Sequence, residues 1–220
     1  MKMSRLAAVL GSLALGIASL GATCKGKKNV HLAPQPQVDI DPQVLAKFAE
    51  EVNEYVAMRR KIVGQLPPVG SQSTPEQIFE RQTAMKHAIE RARRGAKQGE
   101  MFKKSVEAAI RRIIQKEMQS PEREAMVKEI KQGNPKVEGV PTRQNPQVVV
   151  KKDVPVRVNG DYPDSAPFSS MPPTLLLKLP QLPDEVRYRF VGRHLILRDT
   201  EANVILDYIL NAVPDPSIPR

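Results

Sequence analysis

The stretch Arg187-Tyr188-Arg189-Phe190-Val191-Gly192-Arg193-His194-Leu195-Ile196-Leu197-Arg198 decides the fold class. Charged and aromatic side chains alternate up to Val191, the period of a half-buried strand. Gly192-Arg193 then puts glycine first in a two-residue turn, and a short apolar run follows. The reading is a β-hairpin in which Tyr188 and Phe190 share a face, as do Leu195 and Leu197. Asp199 to Asn203 reads as a polar loop and Val204 to Ile209 as a third strand, so residues 184–220 form a three-stranded meander with a tail. A unit of that size needs a partner surface.

Upstream of the hairpin, proline divides the chain. Residues 1–133 hold seven prolines and the remaining 87 hold thirteen. Residues 134–183 therefore read as a proline-rich segment with short strands at Val148-Val149-Val150 and Val154 to Val158, the second at an edge because Pro155 cannot donate to a ladder. Asn159-Gly160 is a turn signal. Pro172 to Pro180 encloses Leu175, Leu176, Leu177 and Leu179, which predicts one or two helical turns docking leucines on the body.

Residues 41–133 read as helices. Asp41-Pro42 is a start signal, and Leu45, Phe48, Val52, Tyr55, Ile62 and Leu66 follow as one stripe up to Pro67-Pro68. Thr74-Pro75-Glu76-Gln77 is a capping box that opens a second stripe of Ile78, Gln82, Met85, Ile89, Ala92 and Ala96. The short connection predicts an antiparallel hairpin. Gly99 breaks the chain before a third stripe of Phe102, Val106, Ala109, Ile110, Ile113 and Ile114, and Ser120-Pro121-Glu122 caps a fourth helix that stops at Gly133. Arg59 interrupts the first stripe, so it should pair with a carboxylate or a carbonyl instead of joining the apolar seam. The fold class expected is α+β: an antiparallel helical hairpin or bundle, the proline-rich segment, then the meander.

The net charge of +10 is not spread evenly. Residues 1–74 carry 9 basic and 5 acidic side chains, residues 75–136 carry 15 and 9, and residues 137–220 carry 10 of each. His87, Arg91, Arg94 and Lys97 fall at helical spacing within the basic stretch and suggest a surface for anionic lipid or an anionic envelope polymer. The bland alternative is a solvated face, since Glu90, Glu100 and Glu107 are interleaved. Nucleic acid is not expected, because no aromatic residues interleave with the cations for base stacking.

Residues 1–24 read as an export signal, with Lys2 and Arg5 before an uncharged apolar run from Leu6 to Leu20. The single cysteine, Cys24, sits where a bacterial lipoprotein carries its acyl anchor, although Thr23 and the position of Leu20 depart from that pattern. An ordinary cut near Gly21 or Ala22 is the other reading. One cysteine excludes an intrachain disulfide. Residues 25–40 then form a flexible tether, which places the mature chain in the periplasm or outside the cell with its N-terminus at a membrane.

Asp199, Glu201 and Asn203 alternate as calcium ligands sometimes do, with Asp207 beyond them, but the turn glycine and later glutamate of such a loop are missing. The same carboxylates could serve acid–base chemistry only if their environments set their pKa values apart in a cleft. His31, His87 and His194 lack metal spacing, and no nucleophile elbow, phosphate loop or dinucleotide fingerprint is present. No catalytic residue, cofactor or metal is expected.

Three stretches, Tyr55-Val56-Ala57-Met58-Arg59, Arg91 through Phe102 and Tyr188 through Ile209, are similar to a family of exported bacterial proteins of unknown function. The resemblance spans most of residues 42–213 and implies export without implying a chemistry; Gly99-Glu100 stands where that family tends to read Gly-Asp. The function expected is an envelope-associated, non-enzymatic scaffold or interaction protein; the alternative is a hydrolase or carbohydrate-acting enzyme using the carboxylates of the β unit.

Overall fold

The computed structural model describes residues 40–134, 136–138, 151–162 and 171–218. The export signal, Cys24, nearly all of the tether and Val148-Val149-Val150 lie outside the described residues. Ile40, at the end of the expected tether, is buried in the core.

The architecture is α+β. Helix α1 spans Pro42–Val63, α2 Pro75–Ala92, α3 Lys104–Glu117 and α4 Arg123–Gln132. Strands β1 (Lys136–Glu138) and β2 (Lys151–Asp153) pair antiparallel, β3 is Gly160–Asp161, and α5 is a single turn at Pro173–Leu176. Strands β4 (Val186–Val191), β5 (His194–Asp199) and β6 (Val204–Ile209) complete a sheet of order β3-β6-β5-β4. The meander therefore gains a fourth strand, because Asn159, at φ 57, turns the chain back and Gly160 and Asp161 pair with Ile205 and Val204. The expected strand at Val154 to Val158 is irregular backbone past the end of β2.

The start signals act as local chemistry requires. The Asp41 carboxylate accepts from the Gln43 amide at 2.8 Å, and Thr74 and Gln77 form a reciprocal capping box. Ser120 does not cap: the N-cap of α4 is Glu122, and its side chain makes no capping bond. Helix α1 ends at Gly64, three residues before the prolines.

One apolar core lies between the helices and the sheet. All six residues of the α3 stripe are buried in it. From α2 only Met85 and Ile89 are buried; Ile78 and Ala92 are exposed, because α2 lies at the rim of the core. Tyr188, Phe190, Leu195, Leu197 and Ile209 face the helices, while Ile196 and Ile205 join a smaller cluster on the opposite face with Val154, Tyr162 and Val191. Aromatics make up 4% of the chain, and three of them form a stack through the core. The Phe48 and Phe102 ring centroids are 5.8 Å apart and those of Phe102 and Tyr188 6.4 Å, linking α1, the approach to α3 and β4. Burying each such side chain contributes about 1.5–3 kcal/mol. Near the sheet edge, Leu175 and Leu179 dock as expected, but Leu176 and Leu177 are 46% and 56% exposed, because a single helical turn can bury only one side.

Candidate functional site

The carboxylates that looked available for chemistry are the ties of the fold. Asp199, at the end of β5, is fully buried. Its Oδ2 accepts from the Tyr55 hydroxyl and from Arg59 Nε, both at 2.7 Å, and its Oδ1 accepts from the amides of Glu201 at 2.9 Å and Ala202 at 2.7 Å. Arg59 also donates to Glu201 Oε2 at 2.8 Å, and the other Glu201 oxygen takes Arg81. Arg59 thus pairs as its place in the stripe required, with partners about 140 residues away in sequence. Burial alone would lower the Arg59 pKa, but the Asp199 and Glu201 carboxylates raise it; burial and then the Asp199 charge push the Tyr55 hydroxyl far above its ordinary range. Both groups are held in the protonation state that the ion pair needs.

Asp207 is a second tie, aimed by a bulge. In β6, Asp207 pairs with Leu197 while Ile205 pairs with Arg198, which leaves Leu206 extra. Strict alternation would send Leu206 and Asp207 to opposite faces; the extra residue lets Asp207 point toward the helices. There, fully buried, it accepts from the amides of Gly99 (2.9 Å), Met101 (2.9 Å), Phe102 (2.8 Å) and Tyr208 (2.8 Å). Gly99 has φ +82, the left-handed conformation that brings its amide round to the carboxylate. The bound charge lies just ahead of α3, whose own N-cap, Lys103, offers no side-chain acceptor. Arg93 closes the same region, donating to the Leu206 carbonyl at 2.8 Å, pairing with Glu100 at 3.1 Å and lying 5.6 Å from the Tyr55 ring centroid. Two further buried carboxylates are tied, Glu117 to Lys178 and Asp215 to Arg123, each at 2.5 Å.

Glu201 lines a cleft of about 320 Å³ with Phe79, Lys86 and Asp161, whereas Asp199 and Asp207 are sealed in the core. The three carboxylates do not converge on one space. Among the described residues no three His, Cys, Asp or Glu side chains are placed to hold a metal ion, and no helix is long and apolar enough to cross a membrane. Sequence reasoning missed Asp207, Arg93 and Arg81 as ties. The signal for Asp207 was an aspartate inside the apolar run Val204 to Ile209, where a buried charge demands donors.

The basic residues are placed differently from the helical reading. His87 and Arg91 lie on α2, but the helix stops at Ala92, so Arg94 and Lys97 sit in the turns that follow. All four are exposed. His87 meets Glu90 at 3.1 Å, while Arg91, Arg94 and Lys97 have no carboxylate partner among the described residues. Comparison with known protein families, characterised proteins and solved structures yields no match for this chain.

Proposed function

We propose that this chain is an exported, non-enzymatic interaction protein of the cell envelope, tethered by its N-terminus and drawn to anionic lipid or an anionic polymer by His87, Arg91, Arg94 and Lys97. The carrying observation is the asymmetry of its charges. Buried carboxylates are consumed by internal donors, and the exposed Arg91, Arg94 and Lys97 meet no carboxylate among the described residues. Each basic residue near an anionic membrane contributes about 1 kcal/mol, enough for three or four to supplement a single acyl anchor. The hydrolase reading loses support from the same geometry, since acid–base chemistry needs carboxylates facing a common cleft.

The test is vesicle sedimentation of the processed chain. Binding to phosphatidylglycerol vesicles should exceed binding to phosphatidylcholine and fall between low and moderate salt, as screening shortens the charges' reach to about 8 Å. Arg91→Glu with Arg94→Glu should abolish the salt-sensitive part. Equal binding to both vesicles, or none, overturns the electrostatic role.

A further inference from the structure

The sheet edge brings exposed leucines and arginines together. Leu176 and Leu177 stand exposed beside β4, and with Leu182, Tyr188, Arg187 and Arg189 they line a groove of about 480 Å³. Adjacent exposed leucines at a concave site mark a binding surface more often than isolated ones do. Arg187 has a carboxylate partner, Asp184 at 2.9 Å. Arg189 has none among the described residues; it is half-buried and donates to the Tyr188 carbonyl at 2.8 Å. Burial pulls its pKa below the ordinary arginine range, the Tyr162 hydroxyl opposes this and the neighbouring Arg187 adds to it. The guanidinium remains cationic and meets no carboxylate among the described residues.

We propose that this groove binds an acyl chain bearing a carboxylate, the chain lying on Leu176, Leu177 and Leu182 and the carboxylate reaching Arg189. The planar guanidinium matches a carboxylate through two parallel hydrogen bonds. The α5 wall of the groove argues against a peptide. Pro180 has no amide, its carbonyl already accepts the Tyr188 hydroxyl at 3.1 Å, and the Leu176 and Leu177 amides are bonded to Pro172 and Pro173. A peptide laid on the α5 wall would lose water from its own amides without replacement partners there, whereas an acyl chain has none to satisfy. The proposal does not depend on the tether or on the exposed cations near Arg91.

The experiment is calorimetric titration of the processed chain with decanoate below its micelle concentration, beside acetate and decyltrimethylammonium. Decanoate should bind; acetate, which lacks the chain, and decyltrimethylammonium, which reverses the head charge, should bind at least tenfold more weakly. Arg189→Gln should lower decanoate affinity tenfold or more, as loss of a charge-assisted pair does. Arg189→Lys should retain part of it, Leu177→Ser should weaken it similarly, and Arg91→Glu with Arg94→Glu should leave it unchanged. Unfolding of any variant is checked by circular dichroism, and the comparison among the three ligands on the parent chain stands without variants. Equal affinity for all three, no decanoate binding, or self-association abolished by Leu177→Ser in place of decanoate binding would each overturn the proposal.

Discussion

A buried charge is stable only while every one of its partners is present, so the weight of this fold rests on single atoms. Arg59 is the clearest case. Removing it leaves the Asp199 carboxylate in the core with the Tyr55 hydroxyl and two amides but no counter-charge. Arg59→Met, which keeps the volume, should therefore cost about 3–5 kcal/mol, read as a lowered urea midpoint. A loss below 1 kcal/mol would remove the Arg59–Asp199 pair from the account of stability. Asp215 makes a pH-dependent contribution. The Ser217 hydroxyl and amide, and then Arg123, hold its carboxyl below the usual aspartate range, against the opposing effect of burial. Because the folded pKa is depressed, the stabilisation is complete above the unfolded value of about 3.9 and disappears as pH falls through the folded one. Asp215→Asn should flatten the acid limb of stability against pH; an unchanged limb would remove Asp215 from the account. At this scale the sequence was half legible. An arginine inside an apolar stripe announces a buried partner, and Arg59 was readable for that reason. Asp199 and Glu201 were not, because alternating carboxylates after a strand look alike whether they bind a cation or bond the chain's own donors.

Elements were most legible where the backbone itself limits the choices. Asp41-Pro42, Thr74-Pro75 and Gly192 each restrict φ or offer a capping acceptor, and the structure turns or starts at each of them. Amphipathic stripes found the buried face of α3, though Phe102 lies two residues ahead of that helix, and overestimated α2, since periodicity identifies an apolar face without revealing how much of it another element covers. The bulge in β6 was invisible: the run Val204 to Ile209 is continuous, and only pairing with β5 shows that Leu206 is extra. That bulge and Gly99 act together on the approach to α3. A Cβ at Gly99 would meet the Phe102 carbonyl at 3.7 Å, an ordinary contact, so the cost of Gly99→Ala comes from φ alone. It should be about 1–2 kcal/mol, measured by urea unfolding, and a neutral result would show that the turn relaxes. Asp207→Asn replaces one accepting oxygen by a donor facing amides. It should cost at least about 2 kcal/mol and speed hydrogen exchange at the Gly99, Met101 and Phe102 amides before any other part of the chain. Unchanged exchange at those three amides would show that the loop is held by packing instead.

At the scale of the whole molecule, the helices and the sheet share one core and are crossed by the same ties. Phe48, Phe102 and Tyr188 stack across the boundary, Arg59 meets Asp199 across it, and Asp207 holds the approach to α3 from the sheet. On the side where the two halves meet neither has an interior of its own: the sheet's helix-facing residues and the α3 stripe belong to a single apolar cluster. The meander's dependence on a partner surface was readable from its size, while the identity of its ties was not, because Arg59–Asp199 and Phe102–Asp207 join positions more than 100 residues apart. Folding should consequently be all-or-none for the described body. Tryptophan is absent, so tyrosine emission reports the sheet, through Tyr55 and Tyr188 at the interface and Tyr162 and Tyr208 on the opposite face, and far-ultraviolet dichroism reports the helices. In urea the two signals should give one midpoint and one slope, and Arg59→Met should move both by the same amount even though Arg59 lies on α1. Residues 184–220 expressed alone should lack strand signal, having lost the face that buries Tyr188, Phe190 and Leu197. A tyrosine transition surviving past the loss of helix would show that the sheet has its own stability, and the ties at Asp199 and Asp207 would then be contacts between two folding units, free to open without unfolding either.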